Sequence, residues 1–279
     1  MPDTDTSKNV LIIRPPKKWS SINFRELFEY RGLLYFLTWR NIIIKYKQTL
    51  LGIAWAVLQP LFMMIIFTIF FGNMAQVPSE GVPYPIFSYA GVLLWTYFSQ
   101  AVTMSANSVI SQTNLVTKIY FPRLLMPVAA TASGILDYFI ALVILVVMMI
   151  IYHVSPGPIM LLLPVLLFWS CVSATGVGMW LSALNVKYRD IRHIIPFLIQ
   201  LWLFATPVIY PNTLLPEKYR WVISLNPIAG IIEAHRACIL GHKPIDWLSL
   251  GISICVSSLI FATGLFYFKK MEKTFADII

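Results

Sequence analysis

Six long runs of apolar residues alternate with shorter polar segments along the chain. A bilayer core of about 30 Å needs about 20 helical residues, because an α-helix rises about 1.5 Å per residue. The first two runs are uncharged, the third contains one acid, Asp137, and the fifth is short and flanked by prolines. The pattern predicts an all-α membrane protein with six transmembrane helices, at about 51–71, 86–106, 124–152, 159–184, 194–210 and 247–268.

The composition excludes a soluble globular protein and a disordered one, since 58% of the residues are hydrophobic and only 12% are charged. A net charge of +9 is also typical of nucleic-acid binding, but the distribution of charge indicates membrane topology instead. Of the 21 Lys and Arg residues, 17 lie in residues 1–50, 107–123, 185–193 and 269–279, and four lie in residues 211–246. The positive-inside rule therefore predicts a multi-pass inner-membrane protein with both termini in the cytoplasm.

Before the membrane domain, residues 50–279, the sequence predicts two further segments. Residues 1–23 form a polar cytoplasmic tail without the apolar core of a signal peptide. Residues 24–49 have the helical period of an amphipathic helix that lies in the membrane interface, either as a passive anchor or as a moving part beside a cytoplasmic entrance. Gly32 is a possible break in this helix. The apolar stripe of the helix contains Phe24, Leu27, Phe28, Leu34, Tyr35, Trp39, Ile42 and Tyr46.

The connection between the second and third spans, residues 107–123, is polar but nearly uncharged. Its length suits a short helix across the membrane surface that is available to a partner. A plain connecting loop is the alternative, and composition does not decide between the two.

Residues 211–246 contain a stretch, 221–241, that is long enough to span but too polar for hydrocarbon. A seventh span would also move the lysines of the C-terminal tail to the outside. A re-entrant or interfacial pair of helices between spans five and six is the better prediction, with a turn at Asn226–Pro227 and an end at Gly241. The costly residues are Pro227, Glu233, His235 and Arg236.

Familiar catalytic and metal-binding motifs are absent from the sequence. There is no GxxxxGK[ST] loop to cradle ATP phosphates, no HExxH and no GxSxG. The four histidines and three cysteines do not cluster, so we predict no metal site and no catalytic residues in this chain.

Asp137 is the candidate intramembrane polar residue, and two roles remain open for it. An acid at bilayer depth is a functional candidate by default, which favours direct participation in transport. Ser133 and Ala141 share its helical face, which favours a hydrogen-bonded role in helix packing. The fourth run carries a similar small-residue stripe, which predicts close helix contact: Ser170, Ala174, Gly178 and Ser182.

Several short motifs, in this order, give the chain a resemblance to a known family. They are Tyr46-Lys47-Gln48-Thr49-Leu50-Leu51-Gly52 with Trp55 and Gln59-Pro60, Tyr120-Phe121-Pro122-Arg123, Asn185-Val186-Lys187-Tyr188-Arg189-Asp190-Ile191, Ala205-Thr206-Pro207-Val208-Ile209-Tyr210 and Leu225-Asn226-Pro227. With these motifs the chain resembles the permease subunit of type-2 ABC exporters for polysaccharides, whose members export O-antigen, capsule or teichoic acid. The resemblance runs from about Phe24 to the C-terminus.

The resemblance implies partners that composition does not reveal. Two identical permease chains would form the pore, and two copies of a separate ATPase would bind ATP and Mg²⁺ beneath them. The substrate would be a lipid-linked glycan, with O-antigen the first expectation and capsule or teichoic acid next. The coupling helix to the ATPase would contain Ser111, Gln112, Thr113, Asn114, Leu115, Val116, Thr117, Lys118 and Ile119.

The resemblance also implies an entrance and an exit. The amphipathic helix would lie at the cytoplasmic entrance, where its cations could attract a pyrophosphate head group: Arg25, Arg31, Arg40, Lys45 and Lys47. Two short re-entrant helices, at about 216–225 and 227–240, would lie near the outer exit, with the candidate residues Tyr219, Trp221, Asn226, Pro227, Glu233, His235 and Arg236. The competing functions are an ion-coupled secondary transporter that uses Asp137 and a bilayer-embedded lipid-modifying enzyme.

Overall fold

The computed structural model describes residues 28–47, 52–157, 159–188, 190–214, 216–241 and 243–275. Throughout this part of the chain the regular secondary structure is helical, which confirms the all-α prediction. The helices are α1 (Arg31–Tyr46), α2 (Ala54–Phe67), α3 (Tyr84–Asn107), α4 (Thr113–Lys118), α5 (Leu125–Ser133), α6 (Ile135–Ile151), α7 (Leu163–Lys187), α8 (Ile191–Ala205), α9 (Glu217–Ser224), α10 (Ala229–Leu240) and α11 (Trp247–Glu272).

Four helical segments of the described chain are long and apolar enough to cross a membrane. They coincide with the first, third, fourth and sixth predicted spans: 54–74, 125–151, 160–187 and 247–272. The first is α2 with a π-helical continuation over Thr68–Met74, and the second is α5 and α6, which meet at Gly134.

The second predicted span is α3, which has 24 residues but less apolar character than the other four segments. It lies at the centre of the bundle, in contact with α2, α5, α6, α7, α8 and α10. Its flank is therefore covered by protein, so its sequence carries polar residues such as Ser88 and Thr96 that lipid contact would disfavour.

The fifth predicted span, 194–210, is wrong in its bounds. The helix α8 begins at Ile191 and ends at Ala205, which leaves 15 residues. Thr206 is extended because it precedes Pro207, whose ring disfavours a helical conformation at the residue before it.

The long helices run in alternating directions along the bundle. We name the two ends of the bundle after the short helix at each, as the α4 end and the α10 end. At the α4 end, Asn185 Nδ2 donates to Ala106 O over 3.1 Å, and the Arg123 N–H donates to Glu272 Oε1 over 2.8 Å. At the α10 end, the backbones of Gly157 and Gly241 touch. This alternation agrees with the predicted order of loops.

Close packing of α7 against its neighbours depends on small residues. All four members of the predicted stripe, from Ser170 to Ser182, are buried. A Cβ at Gly178 would lie 2.1 Å from Ser105 Oγ on α3, and a Cβ at Gly176 would lie 2.7 Å from Phe261 Cα on α11. Gly176 thus packs against the backbone of α11, and Gly178 makes room for the Ser105 side chain of α3, so both glycines allow close helix contact.

The N-terminal helix is present, but its buried face differs from the predicted stripe. Gly32 does not break it; a turn at Tyr30 precedes α1. The side that packs on the bundle contains Leu33, Leu34 and the fully buried Leu37, whereas Tyr35 and Trp39 are exposed. Contact with α5 decides which face is covered, so the aromatic side of the helix points away from the bundle. The predicted residues 24–27 and 48–49 lie outside the described part of the chain.

Candidate functional sites at the two ends of the bundle

Asp137 is the centre of a polar network that joins four helices. Its carboxylate is buried on α6 and contacts both the ammonium group of Lys45 and the hydroxyl of Tyr46 at the end of α1. Lys45 Nζ also donates to Gln100 Oε1 on α3 over 2.9 Å, and Gln100 Nε2 donates to Gln59 Oε1 on α2 over 2.8 Å. Each carboxylate oxygen therefore has a donor, which is the condition for burying a charge at low cost.

The structure divides the cations that sequence reasoning had grouped at the entrance. Lys45 faces Asp137, whereas Arg31 and Lys47 are exposed. Arg40 is half-buried, and partial burial lowers the pKa of its guanidinium from the usual value. Arg25 lies outside the described residues.

The Arg31 guanidinium is further engaged by an aromatic ring, at 4.8 Å from the ring centroid of Phe28. Among the described cations of α1, Arg31 and Lys47 are therefore exposed, Arg40 is partly exposed and Lys45 is paired.

The predicted coupling segment contains a helix, so a plain loop is the wrong description of residues 113–118. A 3-10 turn at Ile110–Gln112 leads into α4. Val116 is buried and Leu115 packs against the same apolar cluster, whereas the opposite side of the segment is open. The exposed residues are Ser111, Asn114, Thr117, Lys118, Ile119 and Tyr120, and Gln112 and Thr113 are half-buried.

At the α10 end, two short helices flank a turn at the predicted position. The helices are α9 and α10, and Gly241 ends the second with a φ of +64°. Asn226 holds the turn: its Oδ1 accepts from Trp202 Nε1 over 3.0 Å, and its Nδ2 donates to Thr206 Oγ1 over 2.8 Å. The Pro227 carbonyl accepts from Ser257 Oγ over 2.9 Å.

The two helices differ in burial. Tyr219 and Trp221 of α9 are more than half exposed, whereas His235 and Arg236 of α10 are buried. His235 Nε2 lies 2.9 Å from the hydroxyl of Tyr138 on α6.

Arg236 anchors α10 to the segment that follows α8. Its guanidinium carbon lies 4.0 Å from the ring centroid of Phe87, and its Nη2 donates to the carbonyls of Pro207 (2.8 Å) and Val208 (3.0 Å). A guanidinium stacks on a ring face and binds carbonyls at its edge, so one side chain satisfies both kinds of contact.

Glu233 belongs to an ion-pair cluster that sequence reasoning missed. Lys243 Nζ lies 3.0 Å from Glu80 Oε1 and 3.1 Å from Glu233 Oε1, and Asn212 Nδ2 donates to Glu233 Oε2 over 3.0 Å. Burial lowers the pKa of Lys243, but the two carboxylates outweigh burial and raise it above its usual value. The cluster links the loop after α2 to α10.

Beside this cluster lies a cavity of about 20 Å³, lined by Glu80, Glu233, Arg236, Lys243 and Asp246 among others. That volume suits a single water molecule rather than a substrate. Within the described ranges, no three His, Cys, Asp or Glu residues are grouped so as to hold a metal ion.

The missed pairings share one property, which is the distance of the two partners along the chain. Glu80 and Lys243 are 163 positions apart, and Lys45 and Asp137 are 92 apart. Periodicity and local motifs carry no signal for such pairs.

Comparison with known proteins agrees with the arrangement of helices and motifs. Residues 32–240 match the family described as ABC-2 type transporter. That range is most of the chain and runs from α1 to the end of α10. The chain therefore belongs to the ABC-2 type transporter family, and it is a membrane-spanning protein.

Individual relatives are similar over nearly their whole length. The chain is 30% identical over 258 residues to the O-antigen export system permease protein RfbA of Myxococcus xanthus, covering 91% of this chain and 98% of that protein. It is 28% identical to the protein of the same name from Klebsiella pneumoniae, over 88% of this chain and 95% of that one. The polysialic acid transport protein KpsM of Escherichia coli is 21% identical over 84% of this chain and 91% of that protein. The first two relatives are named as permeases, in line with the prediction that this chain is not itself an enzyme.

Proposed function

We propose that this chain is the permease subunit of an ATP-driven exporter that moves a lipid-linked polysaccharide out of the cytoplasm. O-antigen is the first substrate class to test, and capsule or teichoic acid the next. The observation that carries the proposal is the match to an O-antigen export permease over 91% of this chain and 98% of that protein. A match of that extent includes both ends of the bundle, so the similarity extends over the whole membrane domain and is not limited to one motif.

In this proposal the membrane domain has six spans. Besides the four long apolar segments, α3 crosses with 24 residues, about 36 Å. The helix α8 contributes 15 residues, about 22 Å, and the chain continues outward through the extended segment after Ala205. The buried helix α10 and the exposed helix α9 form the re-entrant pair at the outer exit.

A second copy of the chain completes the pore. One side of α8 is covered by its own bundle at Ile195 and Leu203, whereas Phe197, Leu201 and Phe204 on the other side are more than half exposed. An apolar groove of about 380 Å³ lies along α8, lined in part by Val102, Val177 and Leu181. In a bilayer an apolar face contacts either lipid or another helix, and the groove offers a second copy a surface to pack into.

The ATPase binds at the α4 end. The chain has no phosphate-binding loop of its own, so ATP and Mg²⁺ belong to a partner chain, present in two copies. The exposed side of α4 and the two residues after it, Ile119 and Tyr120, form the docking surface. The excess of Lys and Arg in the segments at this end supports a cytoplasmic location for it and for both termini, in the bacterial inner membrane.

The cationic surface of α1 receives the anionic head group of the lipid carrier. Lys47 and Arg40 are the residues that carry this role, with Arg25 and Arg31 as additional charge. Lys45 is different, because Asp137 already neutralises it.

The two competing functions receive less support. An ion-coupled transporter needs Asp137 to exchange ions or protons, but its side chain is only 10% exposed and its carboxylate is held by two donors from α1. A lipid-modifying enzyme has no counterpart among the relatives, which carry transport names.

Co-purification with the ATPase encoded beside this gene tests the proposal. We expect a stable complex of two permease and two ATPase chains that hydrolyses ATP. Tyr120→Asp should abolish ATPase binding, because it places a charge on the docking surface. Tyr219→Asp is the matched control, since Tyr219 is also exposed but lies at the other end. Equal binding by the wild type and Y120D would contradict this docking surface.

A further inference from the structure

Arg123 occupies the junction between α4 and the last helix, α11. Its Nη1 donates to the backbone carbonyl of Glu272, the last residue of α11, and its Nη2 donates to the carbonyl of Val116 in α4 over 3.4 Å. Its own backbone N–H donates to Glu272 Oε1 over 2.8 Å. Carbonyls in the last turn of a helix lack an intrahelical donor, and a cation there is favoured by the helix dipole.

Apolar side chains fill the space beneath this bridge. Val116, Phe121, Phe268 and Phe275 are all at most 4% exposed, and the rings of Phe268 and Phe275 meet edge to face at 5.2 Å. The α4 segment is therefore fixed on one side by α11 and the C-terminal turn. Its other side, at Ile119 and Tyr120, is open.

The opposite half of α11 is hydrogen-bonded to the α9–α10 pair through three serines spaced four residues apart. Ser249 Oγ lies 2.8 Å from Ser224 Oγ, Ser253 Oγ accepts from the Gly230 N–H over 3.0 Å, and Ser257 Oγ donates to the Pro227 carbonyl over 2.9 Å. Since 26 residues of helix rise about 39 Å, α11 is a continuous rod between the two ends of the bundle.

We infer that Arg123 is a positioning residue that makes α4 and α11 move together, so that displacement of α4 by the ATPase reaches the α9–α10 pair through α11. This inference rests on the proposed function. A guanidinium suits the role because its planar fork binds two carbonyls at once and fixes their separation. Without the fork, residues 119–124 would absorb the displacement of α4.

The test uses the full permease–ATPase complex in proteoliposomes and compares R123A, R123K and K270A with the wild type. Lys270 is exposed on the last turn of α11, so K270A removes a charge from the same place without touching the bridge. We expect R123A to bind the ATPase and hydrolyse ATP at close to the wild-type rate while transport per ATP falls about tenfold or more, because both guanidinium hydrogen bonds between α4 and α11 are lost. R123K keeps the charge but not the fork, so its transport per ATP should also fall, and K270A should be normal.

A second measurement reports the distance between α4 and α11 directly. Spin labels at T113C, which is half-buried on α4 and away from its exposed docking side, and at K270C should give one narrow distance distribution with Arg123 and a broad one in R123A. Unchanged transport per ATP in R123A, or loss of the assembled complex in both R123A and R123K, would overturn the inference. A wild-type complex that does not assemble or transport would instead contradict the proposed function.

Discussion

Lys45 at the end of α1 forms an ion pair with Asp137, buried on α6 92 residues further along the chain. The pair separates Lys45 from the other cations of α1, and it gives the buried acid Asp137 a partner on another helix. Lys45 is a structural cation rather than part of an open basic surface, and Asp137 holds the N-terminal helix against the bundle. The hydrogen-bonded role is therefore the interpretation of Asp137 that these contacts favour.

Removing Lys45 should destabilise the protein more than neutralising Asp137. The Lys45 side chain is 30% exposed and that of Asp137 is 10% exposed, so the lysine can be hydrated when it is left alone and the carboxylate cannot. We expect K45M to destabilise the purified protein by about 3 kcal/mol, the usual cost of an unpaired buried charge, and D137N to cost less.

Thermal unfolding in detergent measures both effects, and K45M/D137L is the matched control. The double variant should recover most of the loss of K45M, because no unpaired charge remains. Equal destabilisation by K45M and the double variant would exclude a structural pair. Loss of transport by D137N at normal stability would support a direct transport role.

The basic surface of α1 should affect the handling of substrate and not assembly. We expect R40Q/K47Q to insert and bind the ATPase normally but to lose stimulation of ATP hydrolysis by the lipid-linked substrate, because the charge that attracts the head group is gone. The measurement is the rate of ATP hydrolysis as a function of the concentration of lipid-linked substrate.

K218Q is the control for that variant, since Lys218 is an exposed cation at the α10 end. Failure of R40Q/K47Q to insert into the membrane would instead make these residues topological determinants.

Close contact between α3 and α7 should be sensitive to one added methyl group. In G178A, the new Cβ would lie 2.1 Å from Ser105 Oγ and 2.3 Å from Ser105 Cβ. We expect a loss of about 1–3 kcal/mol, since overpacking a tight helix contact forces the backbones apart.

The variant G178A/S105G removes the obstructing side chain and should regain most of that stability in the same unfolding measurement. If the double variant is no more stable than G178A, the helices do not meet at these two positions.

The ion-pair cluster at the α10 end should hold the outer loop against α10. We expect K243M to increase the rate at which a cysteine-reactive reagent modifies Cys238, a buried residue on α10. The reason is that Glu80 and Glu233 would face each other without the cation between them.

Cys255, which is exposed on the membrane-spanning helix α11, and Cys171, which is half-buried on α7, are replaced by Ala in both proteins so that labelling reports Cys238. Protection of Cys238 that is the same in K243M and in the wild type would show that the cluster does not restrain α10.

Much of the architecture could be predicted from local signals. Apolar runs located the long helices, and Asn226–Pro227 and Gly241 marked the turn between α9 and α10 and the end of α10. Each of these features depends on residues close together in sequence, where helix period, caps and prolines act.

The rest depended on tertiary contacts that a single sequence does not encode locally. The covered face of α1 is set by α5 and not by the aromatic stripe, so Trp39 was assigned to the wrong side. The partners of Asp137 and Glu233 come from other helices.

The central claim is that this chain moves a polysaccharide only when a separate ATPase drives it. The most direct measurement is ATP-dependent translocation of lipid-linked polysaccharide into proteoliposomes that contain the chain and the ATPase encoded beside its gene. We predict translocation with ATP and none with an ATPase variant that binds but cannot hydrolyse it. Translocation by the permease alone, driven by an ion gradient and abolished by D137N, would contradict the account.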